Sequence, residues 1–258
     1  VYSSKQVVEA ISEYKRNGAK NALLPPSVIE IPTTEGVYKA EVLAKDDPRG
    51  ATIGVDTGCC MTLVGESRSC IESGYKDEGA GFFVLYTPEG RLAAQSYFYV
   101  NHIHPDTLIL DNIEANQGRD TGKILKLYQS ALKKYLSDRF VEDVDWKIRS
   151  VHVGTGYGEA VKASVLQLPT APVIYNYPEI YSDADTDQRL LLRLSDKEML
   201  DLVAHVINNN AEKVQPQHSP SIRIDHISLE KADIMRELEA QIYPSSMRQY
   251  DDEATVRE

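Results

Sequence analysis

Leu108-Ile109-Leu110-Asp111-Asn112-Ile113-Glu114 runs into Ala115-Asn116-Gln117-Gly118-Arg119-Asp120-Thr121-Gly122 and then into Lys123-Ile124-Leu125-Lys126-Leu127-Tyr128. Residues Thr107 to Ile113 are β-branched and aliphatic enough to predict a strand. The polar, glycine-bearing stretch after it is a loop. Beyond the loop, Ile124, Leu125, Leu127, Tyr128, Ala131, Leu132, Tyr135 and Leu136 recur at helical spacing. Lys123, Lys126, Lys133 and Lys134 fall mostly on the opposite face. Trp146 to Val153 reads as the next strand. A strand–loop–helix–strand unit of this length implies parallel pairing through a right-handed crossover, hence a mixed α/β sheet.

The start of that helix has chemistry of its own. A helix N-terminus carries unpaired backbone N–H groups and partial positive charge. Gly118 and Gly122 allow a ligand to approach the backbone, and Arg119 and Lys123 add formal charge. Together they form a cradle suited to a pyrophosphate. Turn-and-cap chemistry accounts for the same residues, because Asp120 or Thr121 serves as an N-cap. A Gly-x-x-x-x-Gly-Lys-Ser/Thr run is absent. Gly154-Thr155-Gly156-Tyr157-Gly158 has the wrong spacing for a dinucleotide-binding turn.

Upstream, Gly81–Tyr86 and Arg91–Val100 flank Thr87-Pro88-Glu89-Gly90 and predict a β-hairpin. Gly36 to Ala44 and Ala51 to Val55 read as strands joined by turn residues 45–50. Met61 to Ser73 reads as one or two short helices stopped by Gly74, and residues 5–17 as a helix ending at Gly18. Downstream, Pro169, Pro172 and Pro178 mark a loop, and Leu190–Leu194 a strand. Glu198–Asn208 and Glu230–Ile242 read as helices separated by a linker at 215–220. The division is an N-terminal helix and linker at 1–35, an α/β domain at 36–195, and a helical extension with a solvated tail at 196–258.

Composition narrows the function. The 258 residues hold 28 Lys and Arg against 39 Asp and Glu, so 28 − 39 gives a net charge of −11. That balance argues against nucleic acid as a partner and favours a cationic one. No run reaches the ~18 apolar residues of a membrane helix. Three cysteines, 59, 60 and 70, fit a reducing, cytoplasmic setting. Val1 stands where Met would, which reads as a processed or excised piece.

In element order over roughly residues 36–160, the chain resembles the GNAT superfamily of acyl-CoA-dependent N-acyltransferases. That family's loop reads Gln/Arg-x-x-Gly-x-Gly/Ala. Arg119-Asp120-Thr121-Gly122-Lys123-Ile124 matches the Arg and the first Gly and departs at Ile124. The resemblance implies a splayed strand pair holding acetyl-CoA or another acyl-CoA. The backbone of Asn112, Ile113, Glu114 and Ala115 would face the thioester. The amides of Gly118, Arg119, Asp120, Thr121, Gly122 and Lys123 would hold the pyrophosphate. Glu114 or Asp111 would take the proton of an amine, borne by a small molecule or by a protein Lys or N-terminus. Tyr157, with Tyr181 second, would protonate the departing thiolate.

Two other readings stay open. One is a catalytically inactive GNAT-like module that reads a partner through a Tyr-rich, acidic surface. The other is a Cys–His hydrolase or transferase using Cys59 or Cys60 with His102, His104 or His152. The ordinary role of a free cysteine is that of a small buried hydrophobe. His102-Ile103-His104 lacks a third ligand at metal spacing. Ser182–Gln188 has the alternating aspartates of a calcium loop, but Gln188 stands at the glycine position and Leu194 at the glutamate position.

Overall fold

The computed structural model describes residues 22–63, 65–116, 118–143, 145–155, 159–175 and 182–213, together with Lys5, Glu9 and Ser12. The chain divides into units 1–208 and 209–258, and only the end of one helix from the second unit is described. Lys5, Glu9 and Ser12 are helical; the helix expected at 230–242 lies outside the described residues.

The sheet begins earlier than the sequence suggests. Ser27–Thr33 (β1), inside the expected linker, pairs antiparallel with Gly36–Val42 (β2) from Ser27↔Val42 to Thr33↔Gly36. Gly36 closes this hairpin at φ 123°, which a side chain would resist. Pro25, Pro26 and Pro32 obscure the strand signal. Pro32 is tolerated because, among the described residues, β1 pairs on one side only.

The segment expected as a strand at 51–55 is helical instead. The Asp47 carboxylate accepts the Arg49 N–H at 2.9 Å, and Pro48 opens a 3-10 turn at Pro48–Ala51. A short helix, Ile53–Thr57 (α1), follows and ends at Gly58 with φ 72°. The next helix, Arg68–Lys76 (α2), runs through Gly74 rather than stopping there. A Cβ on Gly74 would lie 2.3 Å from the Phe82 ring, so this glycine lets the helix lie on the sheet. Lys45 Nζ donates to the carbonyls of Gly74, Asp77 and Ala80, tying the end of α2 to the next strand.

Ala80–Tyr86 (β3) and Leu92–Val100 (β4) form the predicted hairpin. Thr107–Leu110 (β5) and Glu114–Ala115 (β6) both pair with β4, and Thr121–Glu142 (α3) is the long helix. Ser150–Gly154 (β7) pairs parallel with β5, as the crossover requires. Glu159–Val165 (α4), Thr170–Ala171 (β8), a 3-10 turn at Asp183–Asp185, Gln188–Arg193 (β9) and Asp196–Lys213 (α5) complete the order. The strand order is β1-β2-β3-β4-β5-β7-β9-β8, with every pair antiparallel except β5–β7.

Both sheet faces are covered, so β3 is buried almost continuously rather than alternately. Phe83 and Leu85 join Ile124, Leu127, Tyr128, Leu132, Tyr135 and Leu136 of α3 on one face. Phe82 and Val84 join Ile53, Cys70, Ile71, Tyr75 and, from the far end of the chain, Ala184 on the other. Each large α3 side chain buried this way contributes about 1.5–3 kcal/mol. Among the described residues, no helix is long and apolar enough to cross a membrane.

Candidate functional site

A one-residue irregularity in the middle of the sheet creates the site. Phe98 pairs with Leu110 and Gln95 with Glu114. Between these pairs, Ser96 and Tyr97 of β4 oppose Asp111, Asn112 and Ile113, two residues against three. This is a β-bulge. Asp111 N–H still donates to Tyr97 O at 2.9 Å, and Ser96 Oγ donates to Asn112 O at 2.5 Å. The parallel pairing of β5 with β7 ends at Leu110↔Val153. Past that point the bulged strand follows β4, while β7 continues along β9 to the Gly154↔Gln188 pair.

A cleft opens where the strands part. It is lined by Asn112, Ile113 and Glu114 on one side, Gly154 and Thr155 on the other, and Val161, Lys162 and Val165 of α4. Its enclosed volume is about 10 Å³, room for one water. At its base the strands almost touch, since a Cβ on Gly154 would lie 2.1 Å from Asp111 O and 2.6 Å from Ala184 Cα.

Carboxylates gather at the bulge. Asp111 Oδ1 accepts from Ser182 Oγ and from Asp183 N–H, each at 2.6 Å. Burial, with Asp183 close by, pushes Asp111 up to about 7 despite these donors. Asn112 Nδ2 donates to Glu114 Oε1 at 2.8 Å and to Asp183 Oδ2 at 2.6 Å. Burial first, and then the Asp183 charge, raise Glu114 above the ordinary carboxylate range. Asp111 and Glu114, both singled out from sequence, therefore meet at one place. Ser182 and Asp183, whose alternating-aspartate pattern points to a calcium loop rather than to this site, arrive from 71 positions along the chain. Gln95, cross-strand from Glu114, is also new, and its Nε2 donates to Cys59 Sγ at 3.3 Å.

The start of α3 is more occupied than the sequence implies. Asp120 is the N-cap, and its carboxylate accepts the Lys123 N–H at 3.0 Å. Arg119 N–H donates to Asn116 O, and Lys123 Nζ is bound by Glu35 of the β1–β2 turn, over the Tyr38 ring. Lys123 is thus removed from the cradle at both its amide and its ammonium. The Thr121 and Gly122 amides, in the helix's first turn, make no bond to the described residues, and Gly118 is open with φ 76°. Thr121 Oγ1 and Ser164 Oγ lie 3.1 Å apart and join α3 to α4. Of the expected backbone lining, Asn112, Ile113 and Glu114 face the cleft, while Ala115 is buried in its pair with Ala94. Tyr157 and Tyr181 lie outside the described residues.

Cys59 and Cys70 are not arranged as activated thiols. Burial pushes the Cys59 thiol up to about 11 and Cys70 higher still, the reverse of an activated thiol. Cys60 Sγ lies 3.0 Å from Ser67 Oγ. His152 Nδ1 is 3.1 Å from Gln188 Oε1, and burial pulls its pKa down. Among the described residues, no three His, Cys, Asp or Glu side chains are placed to hold a metal ion.

No protein-family model matches the chain, and no curated protein matches it significantly. Among solved structures it is similar to a GCN5-related N-acetyltransferase from Brucella melitensis, at 10% identity and TM-score 0.38, covering 70% of this chain and 88% of that one. A GNAT-family protein from Desulfovibrio desulfuricans aligns at 11% identity and TM-score 0.35, covering 66% and 99%. Nourseothricin acetyltransferase aligns at 14% identity and TM-score 0.25, covering 64% and 81%. The β3–β4 hairpin, β5, α3 and β7 follow one another in the order expected from the sequence.

Proposed function

We propose that the chain is an acyl-CoA-dependent N-acyltransferase that acylates a cationic amine. The observation that supports this most directly is the parting of β5 and β7 at a bulge that Glu114 immediately follows. In this reading the acyl-CoA is a substrate lying along the cleft. The open amides of Thr121 and Gly122, with Arg119 beside them, hold its diphosphate. The acid-rich bulge receives the amine as its ammonium ion. Glu114, made more basic by burial, takes the proton that the nitrogen must lose before it attacks. Asp111 is too enclosed to reach a substrate and instead anchors the 182–185 segment through its two hydrogen bonds. A cleft sized for one water must widen for a thioester arm. The three free thiols suit a reducing, cytoplasmic compartment.

Calorimetric titration with acetyl-CoA tests this reading. One site per chain is expected, and Arg119→Glu should weaken binding by about 1 kcal/mol. No heat and no thermal shift at millimolar ligand would overturn it. A second reading, a GNAT-like binding module without turnover, draws on the narrow cleft and on the Asp120 carboxylate at the helix start. It requires that acetyl-CoA is never consumed with any amine and that Glu114→Gln alters stability alone.

A further inference from the structure

We propose that Asn112 is the positioning residue of this site: its single NH2 group holds the Glu114 and Asp183 carboxylates side by side and fixes the Glu114 oxygen that can receive a proton. This rests on reading Glu114 as the base, and it adds what orients that base. Nδ2 lies 2.8 Å from Glu114 Oε1 and 2.6 Å from Asp183 Oδ2. Carboxylates only accept, so the side of the amide facing both must be the nitrogen, and its two hydrogens are then fully used. Asp183 cannot drift from this arrangement, because its own N–H donates to Asp111 Oδ1 and the preceding Ser182 Oγ does the same. Glu114 keeps its second oxygen, Oε2, out of the bridge, and its residue lines the cleft beside Gly154 and Thr155. The amide therefore divides the carboxylate into an oriented oxygen and a working one.

The bulge makes the bridge possible. An extra residue puts Asp111 and Asn112, neighbours in sequence, in contact with the same segment, where a regular strand would turn one of them to the opposite face. The other titratable groups around Glu114 are Cys59 beyond α1, Tyr128 of α3 and Lys162 of α4, with Asp183 on the bridge itself and Asp111 bonded to the Asp183 amide. Among the described residues, Asn112 is a neutral double donor placed between two of these carboxylates.

The test reads the Glu114 carboxyl directly, by its 13C shift against pH in the full chain with no substrate present. Asn112→Ala removes a donor that favours the charged form, so the Glu114 midpoint should rise by ~0.5 unit or more. Asp183→Asn removes a facing charge, so the midpoint should fall by a similar amount. General loosening of the fold does not produce shifts of opposite sign. An unmoved midpoint in Asn112→Ala, or a rise in Asp183→Asn, overturns the proposal. Should Asn112→Ala fail to fold, the Asp183→Asn arm decides. Because acetyl-CoA is absent, failure of the acyltransfer reading would appear in the calorimetry and not in this titration.

Discussion

The bulge, which lines the cleft, and the start of α3 are both polar, and they are built in opposite ways. At the α3 start, opposite charges meet: Asp120 caps the Lys123 amide, and Glu35 neutralises the Lys123 ammonium. At the bulge, like charges are crowded, with neutral donors set among them, namely Ser182 Oγ, the Asp183 amide and the Asn112 carboxamide. The first arrangement stabilises a helix. The second is costly to ionise and persists because the surrounding sheet enforces it. Residues that satisfy one another locally are a poor guide to function, whereas enforced repulsion is a better one.

The largest expected effect comes from breaking the seam between the bulge and β7. Gly154→Ala places a Cβ inside the Asp111 carbonyl and the Ala184 backbone. It should cost about 4 kcal/mol or more in urea unfolding, because neither obstacle is a flexible side chain. If the variant unfolds like the parent, the strands are not in contact there. Next, Glu114→Gln should lower acyl transfer to any accepted amine by roughly 10²- to 10⁴-fold while leaving acetyl-CoA affinity intact. An equal loss in affinity would move Glu114 out of the base role.

A pH effect sharpens the contrast further. The folded pKa of Asp111 is raised to about 7, above its unfolded value. The folded state therefore holds this proton more tightly, and the associated stability is complete at acid pH and is lost as pH rises toward 7. Asp111→Asn mimics the protonated form, so its unfolding free energy should fall less than the parent's between pH 4 and 7. Equal slopes would show that Asp111 titrates normally. The smallest effect is at the helix. Asp120→Ala should cost about 1 kcal/mol of stability as a lost cap. It should also tighten acetyl-CoA binding, since it frees the Lys123 amide and removes a negative charge. Weaker binding would show that the cap shapes the seat rather than occupying it.

The strand–helix–strand unit was readable because its signals are local. The apolar spacing from Ile124 to Leu136 is the buried face of α3, and the turn at 87–90 does join two paired strands. The readings at 27–33 and 51–55 went wrong where prolines and a capping aspartate decide the backbone more strongly than side-chain pattern does. Asp111 and Glu114 could be found because carboxylates at the end of an apolar strand stand out. The carboxamide of Asn112 could not, since its partner Asp183 is 71 residues away and looked like part of a failed calcium loop. The glycine at 154 was noticed for its spacing, yet its importance lies in the contact it permits with Asp111 and Ala184.

Strand β1 bears on how copies of this chain behave at high concentration. Pro32 offers no amide hydrogen, and Glu30 faces Lys39 of β2 on the exposed side. At the opposite rim, β8 is only two residues long. A sheet with a proline-interrupted, charged border on one margin and a stub on the other gives a second molecule little to zip onto. The long β-layer that carries the bulge can therefore remain extended without seeding ordered clumping through its margins.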